Sequence, residues 1–456
     1  MPIAPRGLRT IRTGSNSGPV SMDFHRDIQV TSPLPGVRMK PIDRSAGFEA
    51  FLIALGFAIG AFGCGPTSSL TPDPPERIIL IVVDTLRRDH VSVYGPRVAT
   101  PQIDALAHRG QVFSDLTAAY HQTTMSMAGL FTGHTPSLEK GQDRERLDWM
   151  GETWCGLWRF RRPSVSDSCV PESLPTLAER LREAGYWTLG VTSNELLYRP
   201  GGYERGFDRW VELAGTPVPA GRVNQAVSTN LARRPSDRFF LYVHYMDVHD
   251  YRAQGRTYAE SVAVADQAVG RLVSILEGAD LMQGSVVIFT ADHGEHLPME
   301  EHFVEPGMGH TGRPSFETLT RVPLIVAPAV FPDETKPLRG IDLHRMILQL
   351  AGIEAPRAEV LDPDEVYLSE RHFQTYRRGD WKSLRHRDSG KHFLVNLRRD
   401  PGERRTVHRQ NAEIVAQHAD RMDQIAEALG SPHYEKRMIS ESDRARLQAL
   451  GYLPDD

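Results

Sequence analysis

The chain has 456 residues, 40% hydrophobic and 24% charged, proportions that exclude a wholly disordered, collagen-like or multi-spanning membrane protein and leave room for two to three domains. Lys+Arg 53 against Asp+Glu 58 gives a formal charge of -5, which lacks the electrostatic footprint of a nucleic-acid-binding protein.

Residues 1–38 read as an upstream mis-start or a disordered polar extension, and Met39 opens a more conventional beginning. Ala50 to Phe62 is an apolar run of thirteen residues preceded by Lys40 and Arg44; a bilayer-spanning helix needs about 20. A basic start, a short apolar stretch and a small residue before Cys64 describe an export signal over 39–63. Ala61-Phe62-Gly63-Cys64 resembles the lipobox of bacterial lipoproteins, in which the cysteine is acylated and becomes the mature N-terminus. That resemblance implies a lipid anchor on a membrane at Cys64 and a periplasmic or cell-surface location. A buried helix with an incidental cysteine is the alternative. The Pro- and Ser-rich stretch at 64–76 reads as a tether.

Folding is expected to begin at Arg77. Continuous apolar runs at Arg77 to Val83, Tyr186 to Val191, Phe239 to Val243 and Ser285 to Phe289 predict strands buried on both faces. Helices lie between them. Thr100-Pro101 opens one as cap and first-turn proline, and Gly110 stops it. Leu174, Leu177, Ala178, Leu181 and Ala184 give a second apolar stripe, and Val262, Ala265, Val269, Leu272 and Leu276 a third. Strands alternating with helices predict an α/β domain over 77–345, with a mostly parallel central sheet flanked by helices. Cys155 and Cys169 close a short loop that suits a disulfide in an oxidising compartment. Beyond about residue 345 come short polar strands around Gly379 and Ser389-Gly390, then a helix carrying Ile414, Met422, Ile425 and Leu429. They predict a smaller C-terminal subdomain, 346–456, with an antiparallel sheet or hairpin and a helix.

The chemistry is expected where strands end. Asp84 follows the first strand directly, and Asp292-His293 follow the strand ending at Phe289; ligands of an open parallel sheet gather outside its carboxyl edge. Two strands delivering carboxylates and an imidazole to one edge suit a divalent metal. Taken singly, each residue also fits a helix cap or a hydrogen-bonded histidine.

The segments IVVDTLRRDHVSVYG, TPQIDALAHRG, LFTG, FFLYVHYMDVHD, TADHGE and RVPLIV, in that order and spacing, resemble the sulfatase family of the alkaline phosphatase superfamily. The ending, with LRRDPGE and LQALGYL, is similar to the tail of bacterial sulfatase-like proteins. The resemblance implies an alkaline phosphatase-like fold and a metal-dependent hydrolase of anionic esters, sulfated or phosphorylated. In that family the nucleophile opens a C/S-x-P-x-R signature whose cysteine or serine becomes formylglycine. Counting back from Thr132-Gly133 puts Thr123 at that position, with Met125 for the proline and Met127 for the arginine. Threonine there looks like the phosphodiesterase and phosphoethanolamine-transferase branches of the superfamily, in which the hydroxyl itself attacks. Coordination to a cation and a helix N-terminus near Thr123 would activate it, although Thr123 or Thr124 also fits a simple helix cap.

By the same resemblance Asp84, Thr123, Asp292 and His293 form the metal shell. The family often has a second aspartate beside the first, whereas Thr85 follows Asp84 here, so calcium, zinc and manganese all stay open. His249 and His310 match pocket histidines that act as leaving-group acid or oxyanion ligand, and with Asp247 they could instead hold a second metal. Arg313 and Arg87 are further candidates for an anion contact. Without formylglycine, a threonine ester must be released by in-line attack of water or another acceptor, which favours phosphoester or phosphonate chemistry, or group transfer. The alternative from another class is a non-catalytic surface lipoprotein that keeps the fold as a binding module.

Overall fold

A computed structural model of the chain describes residues 73–136, 166–167, 170, 174–197, 201–215, 217–298, 300–304, 314–332, 336–355, 360–370, 372–387, 389–429 and 436–437. The expected export signal and lipobox, Cys64, most of the expected tether, Cys155, Cys169, His310 and Arg313 lie outside the described residues.

The strands up to residue 340 are β1 (Arg77–Val83), β2 (Gln111–Thr117), β3 (Ser166–Asp167), β4 (Trp187–Thr192), β5 (Arg209–Glu212), β6 (Phe239–Tyr245), β7 (Ser285–Thr290), β8 (Arg321–Ala327) and β9 (Leu338–Arg339). All but β3 join one sheet in the order β5-β4-β6-β1-β7-β8-β2-β9. β1 lies parallel between β6 and β7, with Arg77 opposite both Phe239 and Ser285. β8 runs antiparallel to its neighbours β7 and β2, so the sheet is mostly parallel, as the apolar runs predicted. All seven residues of β1 and of β6 are buried, because helices cover both faces and no strand position is left for water.

Helices α1 (Pro101–His108), α2 (Thr123–Thr132), α3 (Leu177–Glu183), α4 (Ala220–Leu231), α5 (Tyr258–Gly278), α6 (Glu317–Thr320) and α7 (Gly340–Leu350) complete this domain. α1 and α4 both pack on α5, while α2, α3 and α7 pack on one another. The α5 stripe of Val262, Ala265, Val269, Leu272 and Leu276 is buried throughout, and Thr257 and Glu260 form a capping box at its start.

The start of α1 departs from expectation. Thr100 occupies the cap position, but its hydroxyl accepts from Ser92 N at 2.9 Å instead. Asp266 Oδ1, on α5, takes the free amides of Gln102 at 3.0 Å and Ile103 at 2.8 Å. A long-range carboxylate satisfies the orphan donors that a local hydroxyl would otherwise accept from.

β10 (Glu365–Ser369), β11 (Phe373–Arg378), β12 (Trp381–His386) and β13 (His392–Asn396) form a four-stranded antiparallel sheet. Gly379 and Gly390 turn its hairpins at φ 56° and 66°, a region where a side chain is disfavoured. Helix α8 (Ala412–Leu429) lays Met422 and Ile425 against Tyr367 and Tyr376 of this sheet. β14 (Lys436–Arg437) pairs with β3. Lys382 Nζ, buried on β12, bridges Glu317 of α6 and Glu403 at 2.9 Å each, and Arg377 of β11 pairs with Asp115 of β2, so an ionic seam ties the second sheet to the rim of the first. Among the described residues no helix is long and apolar enough to cross a membrane.

Candidate active site at the rim of the parallel sheet

Four parallel strands deliver side chains to one edge. Asp84 leaves the end of β1, Asn194 follows β4, His244 sits near the end of β6 level with Val82 and Thr192, and Asp292 and His293 follow β7. The fifth contributor is α2, whose first residue is Thr123. Its hydroxyl is not used as a cap, since Gln122 holds the cap position. Thr123 Oγ1 instead lies 3.2 Å from Asp84 Oδ2 and 3.2 Å from His293 Nε2. Ser126, one turn on, donates to the Asp292 carbonyl at 2.6 Å and fixes α2 against the β7 loop.

Asp84 is fully buried and unequally used. Oδ2 accepts from Asn194 Nδ2 at 2.6 Å and faces His244 Nε2 at 3.0 Å, whereas Oδ1 is buried with no hydrogen-bond partner among the described residues. Asp292 repeats the pattern: Oδ1 accepts from the amides of Thr85 at 3.1 Å and His293 at 2.8 Å, and Oδ2 is orphaned. His293 Nδ1 lies 2.8 Å from the Gly294 carbonyl; a carbonyl only accepts, so the proton belongs on Nδ1 and the bare Nε2 lone pair turns inward. Nε2 is 3.5 Å from Asp292 Oδ2 and 3.9 Å from Asp84 Oδ1.

Two orphaned carboxylate oxygens, an unprotonated imidazole nitrogen and a hydroxyl therefore converge in a space closed to water. Burying such acceptors without a donor is costly, and a divalent cation satisfies all four, so the residues present fit a metal. The electrostatics agree. Burial and the neighbouring Asp84 push the Asp292 carboxyl up. Burial also opposes ionisation of Asp84, but the hydrogen bond from His244 and the charges on His249 and His244 outweigh it and hold that group well below the usual carboxylate range.

Of the residues predicted from sequence, Asp84, Thr123, Asp292 and His293 come together. His249 sits in a short 3-10 turn, His249–Tyr251, with Nδ1 at 2.9 Å from Asp250 Oδ1. Burial lowers its basicity, but that contact and the charge of Asp84 override it, raising the imidazole to about 9. Asp247 does not join a metal group among the described residues; its Oδ1 accepts from Ala220 N at the start of α4 at 3.3 Å. Arg87 is not available to an anion, because its guanidinium is forked onto Asp89 and Glu300. His244 was not predicted, and Asn194 was expected only as part of a pocket-lining turn, with no role of its own. A histidine inside an otherwise apolar, doubly buried strand was the legible signal for the first, and it is oriented by Tyr242, whose hydroxyl lies 2.6 Å from His244 Nδ1. Met125 and Met127, on the same helix as Thr123, are buried.

A mostly parallel sheet with such a site at its carboxyl edge fits an alkaline phosphatase-like ester hydrolase. A sequence model described as Sulfatase matches residues 76–353, and the chain belongs to the sulfatase family. It is 25% identical over 392 residues to the N-acetylgalactosamine-6-sulfatase of Canis lupus familiaris, covering 71% of this chain and 70% of that one. Among solved structures, a 2-O glycosaminoglycan sulfatase superposes with a TM-score of 0.59 at 16% identity, covering 78% of this chain and 93% of that chain. The phosphonate monoester hydrolase of Agrobacterium radiobacter superposes with a TM-score of 0.58 at 15% identity, covering 78% and 96%. These two likenesses are likenesses of fold.

Proposed function

We propose that the chain is a metal-dependent hydrolase of anionic esters whose nucleophile is the Thr123 hydroxyl, and that it prefers a phosphoester or phosphonate to a sulfate ester. The observation that carries this reading is the placement of Thr123 Oγ1 at 3.2 Å from both Asp84 Oδ2 and His293 Nε2, at the N-terminus of α2. One hydroxyl proton cannot serve both acceptors, which favours a cation among them. Bound there, a divalent cation supplies Lewis acidity that makes the hydroxyl a competent nucleophile at neutral pH. Asp84, Asp292 and His293 would hold it, and Asn194 and His244 fix the Asp84 carboxylate.

The preference for phosphorus comes from Thr123 itself. The fold houses both sulfatases and a phosphonate monoester hydrolase, so architecture alone does not decide. A threonine ester has no second hydroxyl through which to expel the bound group, and its release requires in-line attack by water or another acceptor, a route phosphoryl centres accommodate. His249, protonated at neutral pH, would be the group that gives a proton to the leaving oxygen. The test is turnover of nitrophenyl phosphodiester, phosphonate, monoester and sulfate by purified protein supplied in turn with calcium, zinc and manganese. Faster release from a phosphorus ester than from the sulfate is expected; turnover of the sulfate alone would remove the preference, and silence on all four would remove the enzyme.

Silence would leave the binding-module reading, which the apolar Met125 and Met127 favour. We further propose that the chain is anchored through acylated Cys64; incorporation of labelled fatty acid that persists after Cys64→Ala would defeat this.

A further inference from the structure

A second group of ligand-bearing side chains lies beyond the first, on the loop that follows His293. We propose that His296, Glu300 and His302 form a separate divalent-cation site of the zinc class, sharing no residue with the Asp84, Asp292 and His293 group. One ligand atom from each of the three falls within 4.8 Å of the others. Two imidazoles and one carboxylate make a donor set suited to zinc, with the fourth position open.

Two observations point to a ligand and not to simple packing. First, both ring nitrogens of His302 are buried and without a hydrogen-bond partner among the described residues, although a neutral imidazole carries one donor and one acceptor. Second, the group is held in place before any ion arrives. His302 stacks on Phe316 with centroids 4.0 Å apart and planes at 8°, and its ring centroid lies 5.0 Å from that of His296. Arg87 Nη1 donates to both oxygens of Glu300 at 2.7 and 2.8 Å, Leu297 N donates to Oε2 at 3.0 Å, and His296 Nδ1 lies 3.5 Å from that same oxygen. The guanidinium orients Glu300, the task an outer hydrogen-bond partner performs for a metal-binding carboxylate.

There is also an entry path. Glu300 and His302 line a cavity of about 480 Å³ whose wall includes Arg88, Arg321 and Arg404. Those cations make a water or a small anion the natural fourth ligand, the arrangement of an open zinc site.

The experiment uses the full chain, stripped with a chelator, titrated with Zn²⁺ alone and assayed for bound metal by elemental analysis. Two ions per chain are expected in the wild type. His302→Ala and Asp292→Asn should each retain one, and the double variant none, with circular dichroism confirming the fold. If His302→Ala does not fold, His302→Gln replaces it and should lose the same ion. Cobalt substitution gives a second readout: the visible absorption of a low-coordinate Co²⁺ site should disappear in the His302 variant and persist in Asp292→Asn. Two ions retained in a folded His302 variant, or a single wild-type ion that is lost in Asp292→Asn, overturns the proposal.

Discussion

The site turns on single atoms. Removing the hydroxyl in Thr123→Ala should lower turnover by about 10³-fold or more, whereas Thr123→Ser should stay within about tenfold, because it keeps an oxygen at N1 of α2. Equal losses in the two variants would show that the methyl, and not the oxygen, matters. His249 allows a test that does not depend on turnover. Its value near 9 lies above the ordinary 6.5, so the ring is charged at neutral pH and loses its proton only as the pH rises through about 9. Part of that elevation comes from the charge on Asp84, which a bound cation offsets. Imidazole NMR signals should therefore titrate near 9 in metal-free protein and at lower pH after loading; an unmoved midpoint would separate His249 from the metal group. At this scale the sequence was half legible. Asp84, Thr123, Asp292 and His293 announce themselves by following strands or opening a helix, but His244 reads as part of a buried run, and Asn194 belongs to a loop without a periodic pattern.

Among elements, the most legible were the strands buried on both faces. β1 spans the predicted Arg77–Val83, and β7 extends only one residue past Phe289, since an apolar run with no polar alternation has few other stable places to go. What the sequence hides is partnership between distant segments. The carboxylate that caps α1 belongs to Asp266, 163 residues from Ile103, and no local pattern reports it. Asp266→Ala should cost about 1–2 kcal/mol by urea unfolding, the usual loss for a helix cap, whereas Thr100→Val should act through Ser92 and leave the α1 amides capped. A larger effect of the threonine change on α1 hydrogen exchange would return the cap to Thr100. The group at His296, Glu300 and His302 escaped for a related reason: it falls in a loop after the recognisable motif.

For the molecule as a whole, the two sheets are joined by charge. Burial works against Glu317, but Lys382, Arg377 and Arg321 outweigh it and bring its carboxyl down to about 2, while burial leaves Glu403 up at about 7. Lys382 is the shared counter-ion. Lys382→Met should therefore destabilise by about 3–5 kcal/mol, since it strands buried carboxylates, and restoring stability should require Glu317→Gln as well. A loss under about 1 kcal/mol by denaturant unfolding would mean that water already reaches the seam. The second sheet was legible as antiparallel and joined to a helix but not in its number of strands, because the glycine turns mark strand ends and say nothing of how many strands pair.

Thr85 bears on which ion the pocket takes. It adopts φ 57°, a left-handed conformation, with its hydroxyl bonded to the Asp84 carbonyl and its own carbonyl accepting from Tyr258. A β-branched side chain held there costs about 1–3 kcal/mol, whereas aspartate tolerates the same backbone readily. The backbone at this position thus suits aspartate better than the threonine it carries. One codon, Thr85→Asp, would relax the turn and add an oxygen donor beside Asp84, drawing the pocket toward harder ions such as calcium.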